Sequence, residues 1–213
     1  MLNVGAGAGS YEPRDRWVLA VEPSATMRAQ RPADAAPCLA AGAESLPLDD
    51  DSVDAAMACV TIHHWQDRAA GLAELRRVAR GPVVVFTFEL ADLIPWQRDY
   101  FRDAVAIERP RFGLIEEVAA ELGGKVRVER IPTPADCTDG FFEAFWNRPE
   151  PLLDPTVRAS QSIWELLEPV AVEGIFDRLG ADLESGRWDE ENGALRERSS
   201  YEGSLRLVIS EPA

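Results

Sequence analysis

The run Pro82–Glu89, PVVVFTFE, is apolar on successive residues. A strand with one wet face alternates apolar and polar side chains. An unbroken run therefore predicts a strand covered on both faces, as in a parallel sheet lying between helices. Four further candidates precede it: Met1–Val4, RWVLAVEP (Arg16–Pro23), a strand within PCLAAGAES, and SVDAAMACV. Parallel neighbours need crossovers, and helical patterns stand where crossovers are required. Ser24 is placed to cap a helix through Gln30, stopped by Pro32. Asp67 is placed to cap RAAGLAELRRVAR, which aligns Leu72, Leu75, Val78 and Ala79 before Gly81-Pro82 ends it. FGLIEEVAAELGG puts Leu114, Ile115, Val118, Ala119 and Leu122 on one side and stops at paired glycines.

After VRVERI (Val126–Ile131) the rhythm changes. Five prolines between positions 132 and 155 break the chain, and Val172, Ile175, Phe176, Leu179 and Leu183 then recur at helical spacing. SLRLVIS reads as a final strand. The pattern predicts an α/β fold: a doubly wound, mostly parallel, seven-stranded Rossmann-like sheet with right-handed crossovers and an antiparallel last strand. Residues 1–213 read as a single domain, with 139–198 as a helical insertion between the last two strands.

Composition narrows the function. A net charge of −15 opposes nucleic-acid and anionic-membrane partners, whose phosphates it would repel. No apolar run reaches the roughly 18 residues that a bilayer requires. Cys38, Cys59 and Cys137 are far apart and odd in number, and the histidines are only His63 and His64. Neither a disulfide framework nor a metal site is expected, and the chain reads as cytoplasmic. Asp49-Asp50-Asp51 reads as a solvated turn.

Gly5, Gly7 and Gly9 directly follow the first apolar run. At a strand end, missing side chains let the backbone turn sharply and approach a ligand. Glu22 closes the second strand candidate at the carboxyl edge, where open α/β sheets bind ligands. A carboxylate there can accept from two ribose hydroxyls, which suits a nucleoside-containing ligand. The dinucleotide fingerprint GxGxxG counted from Gly5 would need glycine at position 10, where Ser10 stands.

Taken with AESLPLDDDSVDAAMACV and VTIHHWQDRAAGLAELRRVARGPVVVF, the glycine loop and Glu22 resemble the class I S-adenosylmethionine-dependent methyltransferases, in their small-molecule branch. The resemblance runs from about Leu2 to Glu89. It implies S-adenosylmethionine as cofactor, held by Asn3, Gly5, Gly7, Glu22, Pro23, Ala43, Leu46, Val60 and Thr61. Gly5 and Gly7 would lie against the methionine part, with Glu22 at the ribose. Ala43 and Leu46 would border the adenine, and Val60 and Thr61 would flank the methionine end. His63 and His64 would sit at the mouth of the cleft as candidates for a catalytic base, His64 favoured. The structural alternative has one ring bonded to the helix start at Asp67 and the other packed on Trp65.

Three features depart from the family pattern. Asn3 and Gly42 stand where the family usually has aspartates, and the segment from Gly9 to Glu22 is short and interrupted by Pro13. Members normally carry one or two helices before the first strand, whereas this sequence opens in that strand. A bare apolar sheet face is the consequence expected, leading to self-association or weak cofactor binding. The implied activity is methyl transfer to an O, N or C nucleophile of a small molecule. A non-catalytic nucleoside-binding protein of the same fold and a nicotinamide oxidoreductase are the rivals. Glu89, Trp96, Asp99 and Tyr100 fall on the expected substrate side, and both the Trp96–Tyr100 pair and the cluster FFEAFW (Phe141–Trp146) read as core or as substrate wall.

Overall fold

A computed structural model describes residues 1–212. Its strands are β1 (Leu2–Val4), β2 (Leu19–Val21), β3 (Cys38–Leu39), β4 (Ala56–Cys59), β5 (Val83–Phe88), β6 (Lys125–Arg130), β7 (Thr133–Pro134), β8 (Ser200–Tyr201) and β9 (Leu205–Glu211). Seven of them form one sheet in the order β3-β2-β1-β4-β5-β9-β6, while β7 and β8 make a separate antiparallel pair. The pairs β3–β2, β2–β1, β1–β4 and β4–β5 are all parallel. At the other edge, the Ile131 N–H just past β6 donates to the carbonyl that opens β9 at Leu205. Near the opposite end, the Ser210 hydroxyl donates to the Gly123 carbonyl just ahead of β6. Late β6 thus meets early β9, so the last strand runs antiparallel to its neighbour.

The chain divides into two compact units. The first comprises Met1–Phe88, Phe112–Glu129 and the chain from Arg206 onward. It contains α1 (Ala25–Ala29), capped by Ser24, and α2 (Arg68–Val78), capped by Asp67. Beyond β5 the helices continue with α3 (Pro95–Tyr100), α4 (Arg102–Phe112) and α5 (Ile115–Leu122). Leu72, Leu75 and Val78 of α2 and Ile115, Val118 and Leu122 of α5 pack into one core with Leu2, Val4, Val21, Ala56, Ala58, Val83 and Val85. Side chains alternate along a strand, so Asn3, Ala20 and Met57 turn to the opposite face. Each is buried as well, at 6% exposure or less. The bare apolar face expected from the sequence is therefore not found around β1.

The strands are shorter than their apolar runs. Only three residues of Arg16–Pro23 pair, because Arg16 and Trp17 lie exposed ahead of the ladder. The third strand is a two-residue contact, after which the chain turns away through Ala41–Leu46.

The second unit comprises Glu89–Arg111 and Arg130–Leu205, so α3 and nearly all of α4 belong with the later helical region, while α5 belongs to the first unit. It adds α6 (Pro155–Arg158), α7 (Pro169–Glu184) and α8 (Arg187–Asn192). Its core is aromatic. Phe101 meets Trp96, Trp164 and Phe176 with ring centroids 5.8, 5.0 and 5.9 Å apart. Phe142, Ala144, Phe145 and Trp146 are buried in a single 3₁₀ turn and its cap, which makes FFEAFW mainly core. Within that turn Glu143 is fully buried, and its carboxylate accepts from the Ser204 N–H at 3.0 Å and from the Ser204 hydroxyl. Ser204 is the residue before β9, and its carbonyl accepts from the Glu89 N–H at 2.7 Å, so Glu143 anchors the start of the last strand. Glu143→Ala leaves two buried donors without this acceptor and is expected to cost about 3 kcal/mol, read as a lower urea midpoint at unchanged slope.

Candidate cofactor and active site

Three chain segments meet at the carboxyl ends of β1, β2 and β4. The first is the glycine turn. Gly5 and Gly7 have φ of +68° and +54°, the left-handed region that strongly favours glycine. The turn starts when the Gly5 and Ala6 N–H groups both donate to the Val21 carbonyl, at 2.9 and 3.0 Å. A side chain at position 5 would collide with Thr61, so the glycine also lets the ends of β1 and β4 close on each other.

Glu22 is the second. It is only 7% exposed and spans the turn: one carboxylate oxygen accepts from the Gly7 N–H and the other from the Ser24 N–H, both at 2.8 Å. Arg28 donates to the carbonyls of Glu22 and Pro23 at 2.7 Å, which fixes the backbone beneath the carboxylate. The Pro23 ring is exposed.

The Ala43–Leu46 loop is fastened from α2. Ala43 and Leu46 are buried at 4% and 5% exposure. The Leu46 N–H donates to Glu74 at 2.8 Å, and Arg77 grips the same carboxylate at 2.6 and 2.8 Å. The hydrogen bonds from Arg77 hold the Glu74 carboxyl below the usual carboxylate range, so it stays an ionised acceptor. Glu44 accepts from the Gln66 N–H at 2.8 Å, which ties this loop to the segment after β4.

That segment is the third. Val60 has φ of +52°, a strained position for a β-branched residue, and its N–H donates to the Phe86 carbonyl at 2.8 Å. The Cys59 thiol beside it is pushed up to about 11 by burial and stays protonated, which removes it as a nucleophile. Thr61 is buried against the glycine turn, and Ile62–His64 form a 3₁₀ turn. The two histidines differ in exposure. His63 is 7% exposed, with its ring stacked on Phe112 at 4.1 Å, and the exposed His64 lies 3.9 Å from it, centroid to centroid. Just beyond the turn, the Asp67 carboxylate accepts from the Ala70 N–H at 2.9 Å and so caps α2.

Asn3, Gly5, Gly7, Glu22, Thr61 and the histidines therefore share the first unit, together with Ala43 and Leu46. Residues 89 to 100 belong to the second unit. There the Trp96 indole donates to the Trp146 carbonyl at 2.8 Å, and the Tyr100 hydroxyl donates to Asp182 at 2.5 Å. Both are bonds of the helical core. Among the described residues no group of histidine, cysteine and acidic side chains is placed to hold a metal ion.

Sequence reasoning missed Phe112, Glu74 and a buried ion pair, Glu12–Arg31, at 2.7 Å. Arg31 also donates to the Gly7 carbonyl at 3.2 Å. The partners lie 19 residues apart on unrelated segments, and no local spacing rule connects such a pair.

Residues 2–86 match a family described as a methyltransferase domain. No curated protein matches the chain. A candidate methyltransferase from an antibiotic biosynthesis pathway of Anabaena variabilis is 30% identical, with a TM-score of 0.91 over 98% of this chain and 90% of that one. More distantly, at 16% identity, the phosphoethanolamine N-methyltransferase 2 of Haemonchus contortus, solved with phosphomonomethylethanolamine and S-adenosylhomocysteine, shares the fold at a TM-score of 0.53. That alignment covers 100% of this chain and 48% of that one. The [4+2]-cyclase SpnF, also 16% identical, shares it at 0.57 over 100% of this chain and 75% of that one. The strand order, the glycine turn and a relative matched almost end to end agree: the chain belongs to the class I S-adenosylmethionine-dependent methyltransferases.

Proposed function

We propose that this protein transfers the methyl group of S-adenosylmethionine to an O, N or C nucleophile of a small molecule. The observation that carries this reading is the Glu22 carboxylate, buried at the end of β2 and oriented by two backbone N–H groups. Each oxygen accepts from one of these N–H groups and retains acceptor capacity for a ribose hydroxyl. The glycine turn gives the methionine part a surface without side chains, and the fastened Ala43–Leu46 loop offers an apolar edge to the adenine. The residues thus fit the cofactor, whose sulfonium supplies an electrophilic methyl group when bound. The protein's share of the chemistry is alignment and exclusion of water.

His64 is the candidate base. Its side chain is exposed while His63 is held in the Phe112 stack, which supports His64 over His63 as the group that takes an O–H or N–H proton from an acceptor. The small-molecule reading is supported by the biosynthetic setting named for the Anabaena relative and by a net charge that disfavours nucleic acid. No helix among the described residues is long and apolar enough to cross a membrane. The three free cysteines suit a cytoplasmic setting.

Replacing Glu22 by alanine is expected to weaken S-adenosylhomocysteine binding by about 2 kcal/mol or more in calorimetry, since the ribose loses a charged acceptor. Unchanged affinity would remove the ribose assignment. For the histidines, His64→Ala is expected to lower turnover about 10²-fold with cofactor affinity intact, whereas His63→Ala is read first as a lower melting temperature. Near-normal turnover in His64→Ala leaves alignment as the whole mechanism.

A further inference from the structure

Asn3 stands at 2% exposure in the middle of β1. Its amide N–H reaches the Glu12 carboxylate at 3.4 Å, a long hydrogen bond, and its Oδ1 is buried with no hydrogen-bond partner among the described residues. A buried acceptor left open is uncommon and points to a donor supplied from elsewhere. Glu12 decides which way the amide faces. An ionised carboxylate only accepts, so the NH₂ group of Asn3 must turn toward it and the oxygen must turn away.

Glu12 is itself held in place. Arg31 pairs with it at 2.7 Å, the two side chains being 9% and 6% exposed, and the Ala36 N–H donates to its other oxygen at 3.3 Å. The same guanidinium donates to the carbonyls of Gly7 and Ala36, at 3.2 and 3.0 Å. One buried pair therefore ties together the strand residue Asn3, the glycine turn and the approach to β3.

We infer that Glu12, clamped by Arg31, is a positioning residue for cofactor binding: it fixes the Asn3 amide so that Oδ1 is presented as an acceptor to the amino-acid end of the ligand. The inference rests on the reading of the glycine turn as the S-adenosylmethionine site. A strand carboxylate could receive an ammonium group in any orientation. An amide does so only with its oxygen forward, and Glu12 imposes that orientation. In Glu12→Gln the side chain gains a donor, so the Asn3 amide is no longer held one way round.

The test compares two ligands by calorimetry: S-adenosylhomocysteine, and 5′-methylthioadenosine, which has the nucleoside and thioether but no amino-acid end. Glu12→Gln is expected to lower the ratio of their affinities about fivefold, by weakening S-adenosylhomocysteine while sparing 5′-methylthioadenosine. Asn3→Leu, which keeps the volume but removes the acceptor, is expected to lower the ratio at least as far. If Glu12 acts through Asn3, Glu12→Gln adds nothing further in the Asn3→Leu background. Should Glu12→Gln not fold, Glu12→Asp, which draws the carboxylate back by one methylene, replaces it with the same expected selective loss. Equal weakening of both ligands, a ratio changed less than twofold, or additive effects in the double variant overturns the inference. If the unsubstituted protein binds neither ligand, the cofactor reading itself falls and the inference with it.

Discussion

One carboxylate organises the ends of β1 and β2. Glu22 bonds the Gly7 N–H across the turn after β1 and the Ser24 N–H at the start of α1. Both donors belong to backbone that would otherwise be unsatisfied: one in a left-handed turn, the other at a helix N-terminus, where a negative charge is also favoured. The turn can hold its shape only because Gly5 and Gly7 tolerate positive φ, and the parallel pairing of β1 with β2 brings the carboxylate within reach of it. Sheet register, glycine turn and candidate ribose acceptor are thus one interaction seen at three scales.

The same logic recurs around the site. Each loop that reaches it is fastened by a charged side chain bonding backbone: Glu74 and Arg77 on the Ala43–Leu46 loop, Glu44 on the segment after β4, Arg31 on Gly7. Charge-assisted bonds of this kind are stronger than neutral ones and strongly directional. They hold irregular backbone where no ladder or helix is available to do so. The strain at Val60 is sustained in the same surroundings, between a ladder bond to Phe86 and the Thr61–Gly5 contact.

The second unit is built differently. Its core is a set of edge-packed aromatic rings with indole and hydroxyl groups turned to specific acceptors. Trp96 is buried in that core, and the half-buried Tyr100 meets it edge-on with ring centroids 6.1 Å apart.

Local physics made much of the first unit legible from the sequence. The apolar run marked β5, although Val84 and Phe86 on one of its faces are only half-buried; Ser24 and Asp67 marked helix starts, and the glycines at positions 5 and 7 marked the turn, because each depends on neighbours in the chain. Glu22 could be singled out because it closes a strand, where an acid has a geometric reason to stand. What tertiary structure alone decided was pairing across distance. Only the fold brings Glu12 to Arg31 and Asn3, or lays Phe112 on His63. Likewise only packing revealed that Asn3, Ala20 and Met57 are covered. Propensity, capping and turn chemistry act over a few residues and can be read along the chain. Burial and long-range ion pairing depend on which surfaces the completed sheet brings together.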